Sequence, residues 1–161
     1  MHTPRPGLRV RAKFKPPYLL PMPEESPKSV PDADMATVLC IEDQPLYMLL
    51  VEEMLSKFPR VRLLKASNGS EGIRIAQSER PELVLLDMNL PDMSGLDVVR
   101  ALSELLQGRR VHLVLLTGES LTIDVIKALS LGASEYWQKP LTLGRLRTGL
   151  GRMLPDFVTL Q

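Results

Sequence analysis

Leu83-Val84-Leu85-Leu86 is apolar at every position. A strand with one wet face alternates polar and apolar side chains. An unbroken run needs cover on both faces, the condition inside a parallel sheet flanked by helices. Four more short runs suit strands: Val38–Ile41, Val61–Ala66, Leu113–Leu116 and Tyr136–Gln138. Between them, apolar residues recur three and four apart, the period of one helical face. The sets are Leu46, Leu49, Leu50, Met54 and Phe58; a less apolar stretch near Ser70–Ser78; Leu96, Val99, Leu102 and Leu106; Ile123, Ile126 and Leu129; and Leu143, Leu146, Leu150 and Leu154. Each is expected to be a buried stripe. Asn68 and Glu71, three apart, suit a helix start. Five strand–helix units in about 120 residues predict an α/β fold, a doubly wound five-stranded parallel sheet.

The chain has 161 residues, 44% of them hydrophobic and 24% charged, enough for one domain with a real core. Eight of its fourteen prolines fall in residues 1–34. Proline removes backbone donors and blocks regular pairing, so this segment is expected to be a disordered extension. Its basic residues (Arg5, Arg9, Arg11, Lys13, Lys15 and Lys28) suit a solvated tail or a tether to an acidic partner. Met35 directly precedes the first strand, so translation starting there is the alternative. The domain is expected over residues 35–156, with 157–161 as a short C-terminal tail and no room for an output domain. The net charge of +1 gives no field directed at nucleic acid or a membrane surface. No apolar stretch approaches the roughly 18 to 20 residues that span a bilayer. Cys40 is the only cysteine, which excludes a disulfide framework and fits a reducing cytoplasm.

Sites in open parallel sheets form at the carboxyl ends of the strands. Glu42 and Asp43 follow the first apolar run, Asp87 the third, Thr117 the fourth, and Lys139-Pro140 the fifth. If those strands are neighbours, three carboxylates, one hydroxyl and one ammonium meet in one crevice. The charges sum to −2, and like charges that close either raise their pKa values or draw in a cation. A divalent ion cancels the excess. A few hard oxygen ligands favour Mg²⁺, and neither His2 nor His112 joins the set, so zinc is not expected.

These residues, in this order, resemble the receiver domains of bacterial two-component response regulators. Asp87 to Gly95 (DMNLPDMSG) is similar to the family's phosphorylation loop, and Gly132 to Pro140 (GASEYWQKP) to its last-strand signature. The likeness spans roughly residues 37–154. It implies a flavodoxin-like sheet of strand order 2-1-3-4-5. It also implies a signalling switch with no substrate of its own beyond self-phosphorylation and autodephosphorylation. Asp87 would accept a phosphoryl group from a histidine kinase or histidine phosphotransfer protein. Asp43 would bind Mg²⁺ directly and Glu42 through a water, with Asp87 and the backbone carbonyl of Asn89 completing the set. Lys139 would hold a phosphoryl oxygen. Thr117 would be the switch hydroxyl and Tyr136 the aromatic that moves with it. Gly118 would leave the phosphoryl site open, and Asn89 and Glu119 would tune hydrolysis. An unknown downstream protein, or a second copy, would use the fourth helix, fifth strand and fifth helix, where Leu121 and Trp137 are candidate anchors and core burial is the competing role for Trp137.

An enzyme of another class also uses a strand-end aspartate with Mg²⁺, the haloacid dehalogenase type of phosphatase. It needs a second acid two residues after the nucleophile, and Asn89 occupies that position. A nucleotide-binding flavodoxin-like domain needs a Gly-rich loop after the first strand, which is missing here. A receiver relative that binds partners without phosphorylation would lack some of the acids, and all are present.

Overall fold

The computed structural model describes residues 33–108 and 110–158. The expected Pro-rich extension, its basic side chains and His2 therefore lie, apart from Ala33 and Asp34, outside the described residues. So do residues 159–161 of the expected C-terminal tail. Phe157 and Val158 are described, and they pack on the core rather than trailing from it.

Five strands, β1 (Ala36–Ile41), β2 (Val61–Ala66), β3 (Leu83–Asp87), β4 (His112–Thr117) and β5 (Glu135–Gln138), form one sheet in the order β2-β1-β3-β4-β5. Every pairing is parallel. Among the described residues six helices connect and cover them: α1 (Pro45–Leu55), α2 (Gly69–Glu79), α3 (Gly95–Ala101), α4 (Ser103–Gln107), α5 (Ile123–Ser130) and α6 (Leu143–Met153). The single helix expected over Leu96–Leu106 is broken at Leu102 into α3 and α4, and all four of its stripe residues are buried. The fourth and fifth helices of the sequence reading are thus α5 and α6.

β1 and β3 are buried at every residue, Thr37 and Asp87 included, as their apolar runs Val38–Ile41 and Leu83–Leu86 lead one to expect. Side chains alternate between faces along each strand. Leu39, Ile41, Val84, Leu86, Leu113 and Leu115 face one layer with residues of α2, α3, α4 and α5. Val38, Cys40, Leu83, Leu85, Val114, Leu116 and Trp137 face the other with α1 and α6. Asn68 caps α2 as anticipated, accepting from Glu71 N at 2.8 Å, while the Glu71 carboxylate turns back to Ser67.

Two stripes differ from expectation. In α1 the core takes Val51 and Leu55, with Tyr47 and Met48 partly buried; of the expected stripe, Met54 and Phe58 pack on the core, while Leu46 (80% exposed), Leu49 and Leu50 face outward. In α5 the core takes Val125 and Ala128, with Leu129 of the expected stripe packed beside them, and Ile123 (70% exposed) and Ile126 face outward. Both helices carry two apolar stripes side by side, and only the layer above the sheet decides which is used. Trp137 is 1% exposed, with its six-membered ring against Gly149 of α6 and its indole N–H donated to Glu135 at 2.9 Å. The packing that locks β5 to α6 therefore removes Trp137 from the surface where a partner would meet it. Leu121, in the loop before α5, is exposed.

Candidate functional site

The sheet register sets the strand ends level with one another. Ile41 pairs with Leu86, Asp87 with Leu116, and Thr117 with Gln138. Glu42, Asp87, Thr117 and Lys139 therefore stand in a row at the carboxyl edge. The ladder holds this row beyond its last side-chain pairs, with Glu42 N donating to Ala66 O at 3.0 Å and Lys139 N to Thr117 O at 2.8 Å.

Glu42 and Asp87 are buried, and Asp43 is partly open to solvent. One carboxylate oxygen from each of Glu42, Asp43 and Asp87 lies within 4.8 Å of the others. Lys139 Nζ is 2.9 Å from Glu42 Oε2 and 3.5 Å from Asp87 Oδ1. Glu42 Oε1 accepts from Gln44 N at 3.2 Å, and Asp87 Oδ1 from Asn89 N at 3.0 Å. Asp87 Oδ2 accepts nothing from the described residues, yet it is not sealed away from solvent.

Burial pushes the Glu42 carboxyl above its ordinary range; the Lys139 bond opposes the shift and the charge of Asp87 adds to it. For Lys139, burial works to lower the pKa, but the bond to Glu42 and the charge of Asp87 outweigh it, so the ammonium is held more firmly than usual. Three acids against one cation leave an excess of −2. The donors are all hard oxygens, and the cluster is open on one side. This set suits a small divalent cation that keeps part of its water shell.

Thr117 is buried, and its hydroxyl is engaged within its own loop, donating to Glu119 O and accepting from Glu119 N, both at 3.1 Å. Asn89 and Glu119 line a cleft of about 400 Å³ with Met88, Thr117, Thr122, Ile123 and Asp124. Tyr136 pairs with Leu115 and is half-buried on the α3–α5 side of the sheet.

Two residues that pattern reasoning passed over hold the site's loops. Asp92 reaches across to α2, where its carboxylate accepts from Gly69 N at 2.8 Å, Ser70 N at 2.9 Å and Ser70 Oγ at 3.0 Å. It anchors the loop that follows Asp87. Tyr47 places its ring 4.2 Å from Lys139 Nζ, and its hydroxyl accepts from Leu141 N at 3.1 Å. Neither stood out by itself: Asp92 lies within the Asp87–Gly95 run without a strand-end position of its own, and Tyr47 lies inside an apolar helical run.

No helix among the described residues is long and apolar enough to cross a membrane. Residues 38–150 match the family model described as the response regulator receiver domain. The nitrate/nitrite response regulator protein NarL of Escherichia coli (strain K12) is 39% identical over 108 residues, which are 66% of this chain and 49% of NarL. The chain thus spans about half the length of that relative. The sporulation initiation phosphotransferase F of Bacillus subtilis (strain 168) is 30% identical over 119 residues, 73% of this chain and 93% of that protein. A crystal structure of the receiver domain of a sensor histidine kinase from Pseudomonas aeruginosa PAO1, with a magnesium ion coordinated in its active-site cleft, superposes with a TM-score of 0.67. It is 28% identical and covers 75% of this chain and 98% of its own.

Proposed function

The chain belongs to the response regulator receiver family of two-component signalling, and from that premise we propose that it is a phosphorylation switch centred on Asp87. The observation that carries this reading is the cluster at the sheet edge: three carboxylates within 4.8 Å of one another, two of them, Glu42 and Asp87, bridged by Lys139 at 2.9 and 3.5 Å.

Asp87 Oδ2 attacks the phosphorus of a phosphohistidine on a histidine kinase or histidine phosphotransfer protein. A P–O bond forms, the P–N bond breaks, and the imidazole leaves with the electron pair and takes up a proton. Glu42, Asp43, Asp87 and the backbone carbonyl of Asn89 would hold Mg²⁺, which would offset the excess negative charge and supply a hard cation for phosphoryl oxygens. Lys139 has one carboxylate on each side and holds a phosphoryl oxygen as a point charge. Thr117 then exchanges its bond to the Glu119 carbonyl for one to the phosphoryl group, drawing its loop inward, with Tyr136 following. The exchange replaces a neutral hydrogen bond by a charge-assisted one. Asn89 and Glu119, at the cleft beside Thr117, are placed to control water reaching the phosphoryl group.

The protein turns over no separate metabolite on this reading; it is phosphorylated, dephosphorylates itself, and acts through partner proteins. Leu121, with Ile123 and Ile126 of α5, replaces Trp137 as the apolar part of the face for a downstream protein or a second copy. A dehalogenase-type phosphatase gains no support: Asn89 is exposed where that chemistry needs its general acid.

Labelling by a phosphorylated kinase or acetyl phosphate tests the reading. Asp87→Ala abolishes the label, and a label persisting on another residue refutes the assignment. Lys139→Ala impairs the switch but keeps Mg²⁺ binding. A pull-down with and without beryllofluoride, a stand-in for the phosphoryl group, identifies the partner.

A further inference from the structure

Lys139 carries its charge on a flexible four-carbon stem, yet phosphoryl transfer needs that charge at one place. The two carboxylates beside it do not supply a fixed place, because Glu42 pulls the ammonium towards itself, at 2.9 Å against 3.5 Å for Asp87. Tyr47 of α1 meets the same ammonium with its ring face, 4.2 Å from the centroid. A cation that close to a ring centroid is attracted by the ring's negative face. The ring also offers no lone pair in competition with a phosphoryl oxygen.

The hydroxyl of the same side chain holds the backbone just beyond. Lys139 N is tied to Thr117 O, Pro140 has no N–H, and Leu141 N donates to Tyr47 Oη at 3.1 Å. The segment that carries Lys139 from β5 to α6 is therefore held at one end by the sheet and at the other by Tyr47. One half-buried side chain thus steadies both the charge and the chain it hangs from.

We infer that Tyr47 is a positioning residue for phosphoryl transfer, acting through Lys139. It sets where the ammonium stands by its ring and where the Lys139–Leu141 segment lies by its hydroxyl. The inference rests on the phosphorylation reading given above. It goes beyond it in giving α1 a part in the chemistry through a residue outside the acidic row.

The test uses the full chain, with phosphoramidate as phosphoryl donor over a range of concentrations. Tyr47→Leu lowers the saturating rate about tenfold and leaves the Mg²⁺ dissociation constant unchanged. Tyr47→Phe keeps the ring and loses about two- to threefold. In an Lys139→Ala background, Tyr47→Leu causes no further loss, as expected of a residue that acts through Lys139. Nuclear magnetic resonance gives a readout independent of activity. Tyr47→Leu removes the ring-current shift on the Lys139 side-chain methylenes, and Tyr47→Phe moves the Leu141 amide proton upfield. If Tyr47→Leu does not fold, the Leu141 amide and the rate of Tyr47→Phe decide. A wild-type rate in the variants, or an equal loss with and without Lys139, overturns the inference while leaving Asp87 as the acceptor. A wild-type protein that takes no label on Asp87 overturns both.

Discussion

Gly149→Ala reverses the usual sign of a glycine-to-alanine change within a helix. Inside α6, alanine is favoured over glycine by about 1 kcal/mol. Here the added Cβ would stand 2.2 Å from Cζ2 and 2.6 Å from Cη2 of Trp137. Carbon atoms rest about 3.5–4.0 Å apart, so the indole must retreat by more than ~1 Å. It has no room to do so. The ring is buried between β5 and α6, and its N–H is held by Glu135, which in turn takes a two-pronged bond from Arg152 at 2.9 and 3.0 Å. Forced overpacking costs about 1–3 kcal/mol, and so deep an overlap belongs in the upper part of that range, about 2–3 kcal/mol, so the net effect is a loss of ~1–2 kcal/mol after the helix gain of about 1 kcal/mol. At ~4 °C per kcal/mol, the midpoint falls by several degrees. Gly144 lies in the same helix with nothing within 4 Å of its added Cβ. Gly144→Ala is the control, and it leaves stability unchanged or raises it by up to ~1 kcal/mol. Thermal and urea unfolding of the three proteins measures both effects. A Gly149→Ala protein that melts at or above wild type would refute the packing argument, and with it the claim that Trp137 fixes the strand leading to Lys139.

The Cys40 thiol is buried and pushed up to about 12 by that burial and by Glu42, so iodoacetamide should leave it untouched in the folded protein and modify it once urea unfolds the chain. Fast alkylation under native conditions would contradict the burial. The Asp92 carboxyl is held below its ordinary range by the N–H groups of Ser70 and Gly69. Its contribution is present above the unfolded-state pKa and is lost as pH falls through the folded value. Urea unfolding of Asp92→Ala should therefore lose part of the wild-type decline in stability on acidification; an unchanged profile counts against the anchor. Glu42 titrates in the opposite sense. Its raised pKa adds stability to the metal-free protein below the ordinary glutamate value, and that addition is lost as pH rises through the folded pKa. Mg²⁺ needs the ionised form, so calorimetry should find its affinity falling as pH is lowered from neutral through the raised folded-state pKa, less steeply in Glu42→Gln. Equal affinity above and below that pKa would remove Glu42 from the ligand set.

The strands and the acidic row were legible because both follow from local chemistry. Leu83–Leu86 could only be a strand covered twice, and the polar residue after each apolar run had to lie at a carboxyl edge. The helical faces were not legible to the same degree. In α1, Leu46, Leu49 and Leu50 form one stripe and Val51 and Leu55 another; both have helical spacing, and only the sheet beneath selects the second. Ile123 and Ile126 mislead in the same way against Val125 and Ala128. Trp137 fits either a surface anchor or the core on sequence, and the glycine facing it, twelve residues on, decides for the core. Tyr47 and Asp92 act across long sequence separations, Tyr47 on Leu141 and Asp92 on Gly69, which no periodicity encodes.

The sheet divides the interior into two rooms that share a wall but no furniture. Along β1, Leu39 and Ile41 belong to one room and Val38 and Cys40 to the other. Substitutions in different rooms should therefore combine additively, while those within one room should interfere. Each room can be refurnished without disturbing the fit of its neighbour. The exception is the carboxyl edge, where the wall stops. Glu42, Asp87, Thr117 and Lys139 stand on its rim, and their alignment is a joint property of both sides.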